Sequence, residues 1–252
     1  MEPQTYQQLA AVEDRHWWHR SREKLAAQYI RRMALARDAT ILDVGCGTGG
    51  TTRFLLKFGQ VTGVDMSPIA VRHARAKAPQ ATIVEGDANQ LVRLFAPASF
   101  DLVTLFNVLY HRWVRDDAEM LRQIHALLRP GGWLLITDAA HKTLMREHDV
   151  LDMGKTRYTL ADFRRYFAQT GFRYERGQYF NAAALPICLA LALKHRWFGS
   201  RAPRPDGQIA ELNVPPAVIN RTMMVYMTVE NWLFSRLPLS CGVTLLVVGR
   251  KF

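Results

Sequence analysis

Cysteine is scarce in this sequence, and long apolar runs are missing. Three cysteines, Cys46, Cys188 and Cys241, lie far apart in a chain of 252 residues. An odd, scattered set builds neither a disulfide framework nor a zinc site, and it points to a reducing compartment, the cytoplasm. The longest apolar stretch, Ala182–Leu193, is interrupted by a proline and is too short to span a bilayer. The N-terminus is polar and lacks the apolar core of a secretory leader. No low-complexity tract, block of like charge or internal repeat is present, which argues against a disordered chain or a solenoid. The formal net charge is +11, but the basic residues are scattered and no helix-turn-helix, zinc-finger or RNP pattern accompanies them. Nucleic acid is therefore a disfavoured partner. The charge suits anionic substrates or a lipid surface at least as well.

What is present is an alternation. Short runs rich in branched residues occur at Thr40–Val44, Val61–Val64, Ala81–Glu85, Phe100–Phe106, Trp133–Asp138, Phe172–Tyr179 and Val243–Val248. Helical patterns separate several of them, near Thr51–Phe58, Pro68–Ala76, Ala118–Leu128 and Leu160–Thr170. Strands alternating with helices predict an α/β fold, a mostly parallel sheet covered by helices on both faces. Residues 1–38 precede the first strand and hold a helical pattern headed by two tryptophans. Residues 181–242 separate the last two strands, with Pro215 and Pro216 suited to a helix start. On the helix that follows, Asn220, Arg221, Thr228, Asn231 and Ser235 share one side, leaving a wide apolar face expected to dock on the core. Glu230 falls on that apolar side and calls for a partner or a substrate contact.

The stretch DVGCGTGG, Asp43–Gly50, follows the first strand directly. Glycines there let the backbone turn tightly and approach a ligand. The next helix begins with unpaired N–H groups. Asp65 ends the second strand 20 residues after Gly45, where a carboxylate can accept both hydroxyls of a ribose. Gly45, Gly47 and Gly50 satisfy the dinucleotide fingerprint, so an NAD-dependent oxidoreductase is one reading. Asp43 opposes it, because an acid there suits an ammonium group and repels a pyrophosphate.

Asp43, Gly45, Gly47 and Gly49, then Asp65, the EGDA at Glu85–Ala88, SFDLVTLFNVLYH and HALLRPGGWLLITD occur in an order that resembles the class I S-adenosylmethionine-dependent methyltransferases. The resemblance covers residues 39–180 and the last strand. It implies a Rossmann-like seven-stranded sheet with the last strand antiparallel; the chain's own pattern adds an N-terminal helical cap (1–38) before the cofactor-binding core (39–180), and a helical insertion (181–242) before the final core strand (243–252). It further implies S-adenosylmethionine as cofactor and S-adenosylhomocysteine as product. Gly45, Gly47 and Gly49 would contact the methionine part, with Asp43 facing its ammonium. Asp65 would hold the ribose, Met66 would lie beside the adenine, and Asp87 with Ala88 would meet the adenine edge. Asn107 would face the methyl-transfer site. The leading HWWHRSR resembles a bacterial subgroup of these enzymes, in which Trp18 and Arg22 would close over the cofactor carboxylate. REHDVLDMGKTRYT keeps that subgroup's His148, Asp149, Arg157 and Tyr158, but has Gly154 where a histidine is expected.

A sulfonium methyl is already activated, so the protein must chiefly align a nucleophile and exclude water. A hydroxyl acceptor also needs a general base. His111 is the first candidate, His141 the second, and Tyr110 would orient the acceptor. The full acid set of metal-dependent relatives is missing, and so is the Asn/Asp-Pro-Pro-Tyr signature of enzymes acting on bases. The apolar insertion and residues 1–38 are expected to cap a small hydrophobic or amphipathic acceptor. A binding protein of the same fold without turnover is the other alternative, and a peripheral membrane contact is compatible with the apolar insertion.

Overall fold

The computed structural model describes residues 3–146, 149–150, 152–198, 213–234 and 239–252. The strands are β1 (Thr40–Val44), β2 (Gln60–Asp65), β3 (Thr82–Glu85), β4 (Phe100–Phe106), β5 (Leu128–Ala139), β6 (Phe172–Phe180) and β7 (Thr244–Lys251). They form one seven-stranded sheet in the order β3-β2-β1-β4-β5-β7-β6. Neighbours from β3 to β5 run parallel, and β7 is antiparallel to both β5 and β6. The order reverses between β1 and β4, so a crevice opens at their C-terminal ends. One element differs from expectation. β5 begins at Leu128, and its pairing with β4 shifts register between Phe100 and Leu102, so the Pro-Gly-Gly segment is an irregularity inside the strand rather than a turn before it.

The helices are α1 (Pro3–Val12), α2 (Trp17–Arg32), α3 (Gly50–Leu55), α4 (Pro68–Lys77), α5 (Leu91–Leu94), α6 (Asp117–Leu127), α7 (Leu160–Thr170), α8 (Leu185–Phe198) and α9 (Ala217–Phe234). Their ends follow local chemistry. Ser67 caps α4 ahead of Pro68, and Thr159 forms a capping box with Asp162 at the start of α7. On one face of the sheet, Leu121 and Ile124 of α6 and Phe163 and Phe167 of α7 pack against Leu105, Leu134 and Leu245. On the other, Leu25 and Ile30 of α2 meet Ile41, Leu135 and Leu246. Burying each such side chain contributes about 1.5–3 kcal/mol. The N-terminal segment is thus a layer of the core as well as a cap.

Helix α9 departs from the expected orientation. Met227 is buried against the sheet side, but Val218, Val225, Val229 and Leu233 are exposed. Two of the polar residues turn inward, while Arg221 and Thr228 stay exposed: Asn220 accepts from the Trp17 N–H at 2.9 Å and donates to the Arg15 carbonyl, and Asn231 is buried beside Ser21. The reason is that α9 lies on α2, whose start presents unpaired backbone groups rather than an apolar groove. Ser235 falls outside the described residues. Glu230 has the partners it needed. Its carboxylate accepts the N–H groups of Asn181 and Ala182 and the Tyr226 hydroxyl, tying α9 to the chain just before α8.

Glu230→Gln keeps the shape but halves the acceptor capacity at a buried position. Urea unfolding should show a loss of about 1–3 kcal/mol, with β-sheet content unchanged in the folded baseline.

Candidate active site

At the β1/β4 crevice lies a cavity of about 710 Å³. Its floor is the glycine loop. Gly45 and Gly47 both have positive φ, +67° and +54°. A Cβ on Gly47 would meet no neighbouring protein atom within 4 Å, and Gly47 borders the cavity, so that side is open space. Gly49 differs. It also has positive φ, +90°, but a Cβ there would come within 2.7 Å of the Ala74 Cα, so it serves the packing of α3 on α4 and does not border the cavity. Asp43 likewise lies behind the loop. Its buried carboxylate accepts the hydroxyls of Thr52 at 2.7 Å and Thr104 at 2.9 Å, and burial pushes it up to about 6. Asp43 and Gly49, expected at the cofactor, do not border the cavity and support the loop from behind.

Asp65 borders the cavity. Its two oxygens accept from the Gly47 and Ser67 N–H groups, both at 2.9 Å, which aims the carboxylate into the crevice. Burial raises its pKa, while those two backbone donors hold it down. Met66, 49% exposed, and Ala88 border the same end. Asp87 caps the short turn at Ala88–Gln90 through the Asn89 N–H at 2.8 Å and still lines the cavity.

The opposite wall comes from α2. The Arg22 guanidinium stacks 4.6 Å from the Trp18 ring, donates to the Asn107 side-chain carbonyl at 2.7 Å, and keeps a buried Nε without a partner. Burial lowers it to about 10, so it stays charged at neutral pH. Asn107 follows β4 with φ +59°, a left-handed conformation that asparagine tolerates better than most residues. Trp18, Arg22 and Asn107, distant in sequence, therefore meet at the cavity wall. Glu13 of the turn after α1 was not foreseen. It accepts the Thr48 hydroxyl at 2.6 Å and pairs with Lys77, fastening the N-terminal helices over the loop. A single acid in a polar helix carries no spacing signal.

The acceptor end holds Tyr110 and His111, whose rings lie 4.1 Å apart. Tyr110 donates its N–H to buried Asp138 at 3.2 Å, and its hydroxyl bonds to Asp152. Burial pushes Asp138 up to about 8 and Asp152 up to about 7. His111 is driven down to about 4 by burial, and its Nδ1 is buried without a partner. It is a neutral imidazole at pH 7. His141 does not reach the cavity; it stacks on Tyr179 at 4.6 Å, with its N–H bonded to the Tyr158 carbonyl, and so is set aside as a base. Gly154 is explained by this end: a Cβ there would lie 2.9 Å from the Asp149 carbonyl and 3.1 Å from the Tyr110 ring. Arg157 bonds Asp149 through two nitrogens, each at 3.0 Å, and with Arg146 borders the same wall. His148 lies outside the described residues. Among the described residues no group of three His, Cys, Asp or Glu side chains could hold a metal ion.

Two measurements follow from this geometry. Gly47→Ala should leave the melting temperature within a few degrees but abolish binding of an adenosyl ligand by calorimetry. Gly49→Ala should instead cost about 1–3 kcal/mol of stability in chemical unfolding. For His111, burial disfavours the charged form, so its imidazole resonances should stay those of the neutral ring from pH 8 to pH 5 and move only as the pH approaches about 4.

Known proteins fit this architecture. Residues 41–132 match the family described as methyltransferase domain. Trans-aconitate 2-methyltransferase of Enterobacter sp. (strain 638) is 35% identical over 135 residues, 50% of this chain and 51% of that protein. A ubiquinone biosynthesis O-methyltransferase of Albidiferax ferrireducens is 33% identical over 118 residues, 45% of this chain and 46% of its own length. The chain thus spans about half the length of the curated relatives it matches. Among solved structures, the putative methyltransferase complexed with the Haloferax volcanii Trm112 activator superposes with a TM-score of 0.60 at 23% identity, covering 95% of this chain and 91% of that one. With the strand order and the crevice already described, residues 41–132 are similar to a methyltransferase domain, and the chain has the fold of the class I S-adenosylmethionine-dependent methyltransferases.

Proposed function

We propose that the chain is an S-adenosylmethionine-dependent methyltransferase that methylates an oxygen or nitrogen of a small hydrophobic or amphipathic acceptor, a natural-product or lipid-like intermediate. The observation that carries this reading is a single cavity that joins the glycine loop and Asp65 at one end to Tyr110 and His111 at the other. The residues fit the cofactor. Gly47 leaves a space that a Cβ would fill, Asp65 aims a carboxylate where a ribose would lie, and Arg22 keeps an unpartnered buried nitrogen for a carboxylate. When bound, S-adenosylmethionine supplies the activated methyl and leaves as S-adenosylhomocysteine.

The chain's own residues have three tasks. Asp65 accepts the ribose hydroxyls, while Met66, Asp87 and Ala88 hold the adenine end. Arg22, backed by the Trp18 ring, takes the amino-acid carboxylate, and the N-terminal helices shut out water. At the acceptor end the Tyr110–Asp152 pair orients the incoming group. The neutral His111 Nδ1 takes the proton of a hydroxyl as it attacks. The names of the curated relatives, which act on trans-aconitate and in ubiquinone biosynthesis, support a small molecule as acceptor and favour oxygen.

Calorimetry with S-adenosylmethionine, S-adenosylhomocysteine and NAD tests the reading. Both adenosyl ligands should bind the wild type, at least about tenfold more weakly to Asp65→Ala, because each hydrogen bond to a charged group contributes about 1.5–3 kcal/mol. Binding of NAD in their place would overturn the reading and point to a redox enzyme.

A further inference from the structure

Helix α8 is apolar nearly all round, a composition suited to a protein interior or a membrane. Yet among its described side chains only Cys188 and Ala192 are buried, while Ile187 and Trp197 are 66% and 73% exposed. On α9 the residues Val218, Val225 and Val229 form an outward stripe, 78%, 59% and 49% exposed. The two helices are joined where the Glu230 carboxylate of α9 holds the N–H groups of Asn181 and Ala182 just before α8. Tyr226 of α9 also accepts from the Ala183 N–H at 3.0 Å.

Among the described residues, charge on this surface has one sign. Helix α8 contains no acid, and Lys194 and Arg196 follow its apolar stretch, both exposed. The one acid of α9, Glu230, is buried, whereas Arg221 is exposed. Lys24 of α2 reaches across to Thr228 at 3.2 Å and adds a further cation to the rim. Exposed apolar side chains bordered only by cations are what an anionic bilayer surface accepts. Among the described residues no helix is long and apolar enough to cross a membrane, so the helices would lie along the surface.

We propose that α8 and α9 form one docking surface for an anionic lipid bilayer and lie in its interfacial plane. The underside of that surface belongs to the cavity, since Ala184 and Cys188 line it together with Pro215 ahead of α9. A protein docked in this way opens its acceptor site next to the lipid, which suits an amphipathic acceptor. The docking itself does not depend on the methyltransferase reading.

Flotation of the full chain with vesicles of phosphatidylcholine, or of phosphatidylcholine with phosphatidylglycerol, tests the proposal. The protein should float with the anionic vesicles. Lys194→Gln and Arg196→Gln should each weaken binding about fivefold, the factor expected for one cation near an anionic surface. Ile187→Asp combined with Val225→Asp should abolish flotation while circular dichroism and S-adenosylhomocysteine binding stay as in the wild type. Three results would overturn it: no flotation, flotation unaffected by the aspartates, or a wild-type dimer that ignores vesicles and that the aspartates dissociate. The last would make the surface a contact between two copies. Loss of S-adenosylhomocysteine binding with vesicle binding retained would count against the function proposed above and leave the docking surface standing.

Discussion

The buried carboxylate of Asp43 is the tie on which the site depends. Through the Thr52 and Thr104 hydroxyls it holds the end of β1, the start of α3 and the middle of β4 at fixed separations. Between those anchors the loop has one remaining course, with positive φ at Gly45, Gly47 and Gly49. That course presents the Gly47 N–H to Asp65, so the acid on β2 is aimed by the acid on β1. A charged group in such a place is expensive to bury, and the two hydroxyls together with the Arg22 charge offset part of that cost. A residue that resembles a ligand contact in the sequence thus acts by fixing the geometry of its neighbours.

The second constraint is that the cavity wall is not confined to the sheet. Helix α2 buries Leu25 and Ile30 in the core, and this packing carries Trp18 and Arg22 to the ends of β1 and β4. Glu13 completes the attachment by engaging Thr48 in the loop and Lys77 on α4. Cofactor wall and core layer are one element. Loosening the N-terminal segment would therefore disturb stability and binding together. At the acceptor end, the short links from Tyr110 to Asp138 and Asp152 play a similar part, holding the His111 turn against the sheet.

Helices α8 and α9 obey a different logic. Only a few of their apolar residues, such as Met227 and Cys188, are used for the core, and polar residues are used for attachment: Asn220 on the start of α2, Glu230 on the chain before α8. An amphipathic pattern states that a helix has two unlike sides. It does not state which side the rest of the molecule will need. Where the neighbour is a helix start with unpaired N–H groups, the polar side wins.

Much of the architecture was legible in the sequence because it rests on local signals. The branched runs at Thr40–Val44 and Phe100–Phe106, the glycine cluster after the first, and Asp65 at the end of the second strand all kept their places, since strand burial and positive φ select residue types directly. Asp43, Gly49 and His141 show the limit. Each has the right chemistry at the right distance along the chain, but whether a side chain faces the crevice or the layer behind it depends on packing partners far away in sequence. The same holds for Asp152, which gains its meaning only from Tyr110, and for the outward face of α9. Sequence by itself determined the sheet and the loop, because periodicity and backbone conformation are local properties. Tertiary structure decided which acids and histidines line the cavity and which apolar faces remain exposed, because burial is a property of the whole assembly of elements.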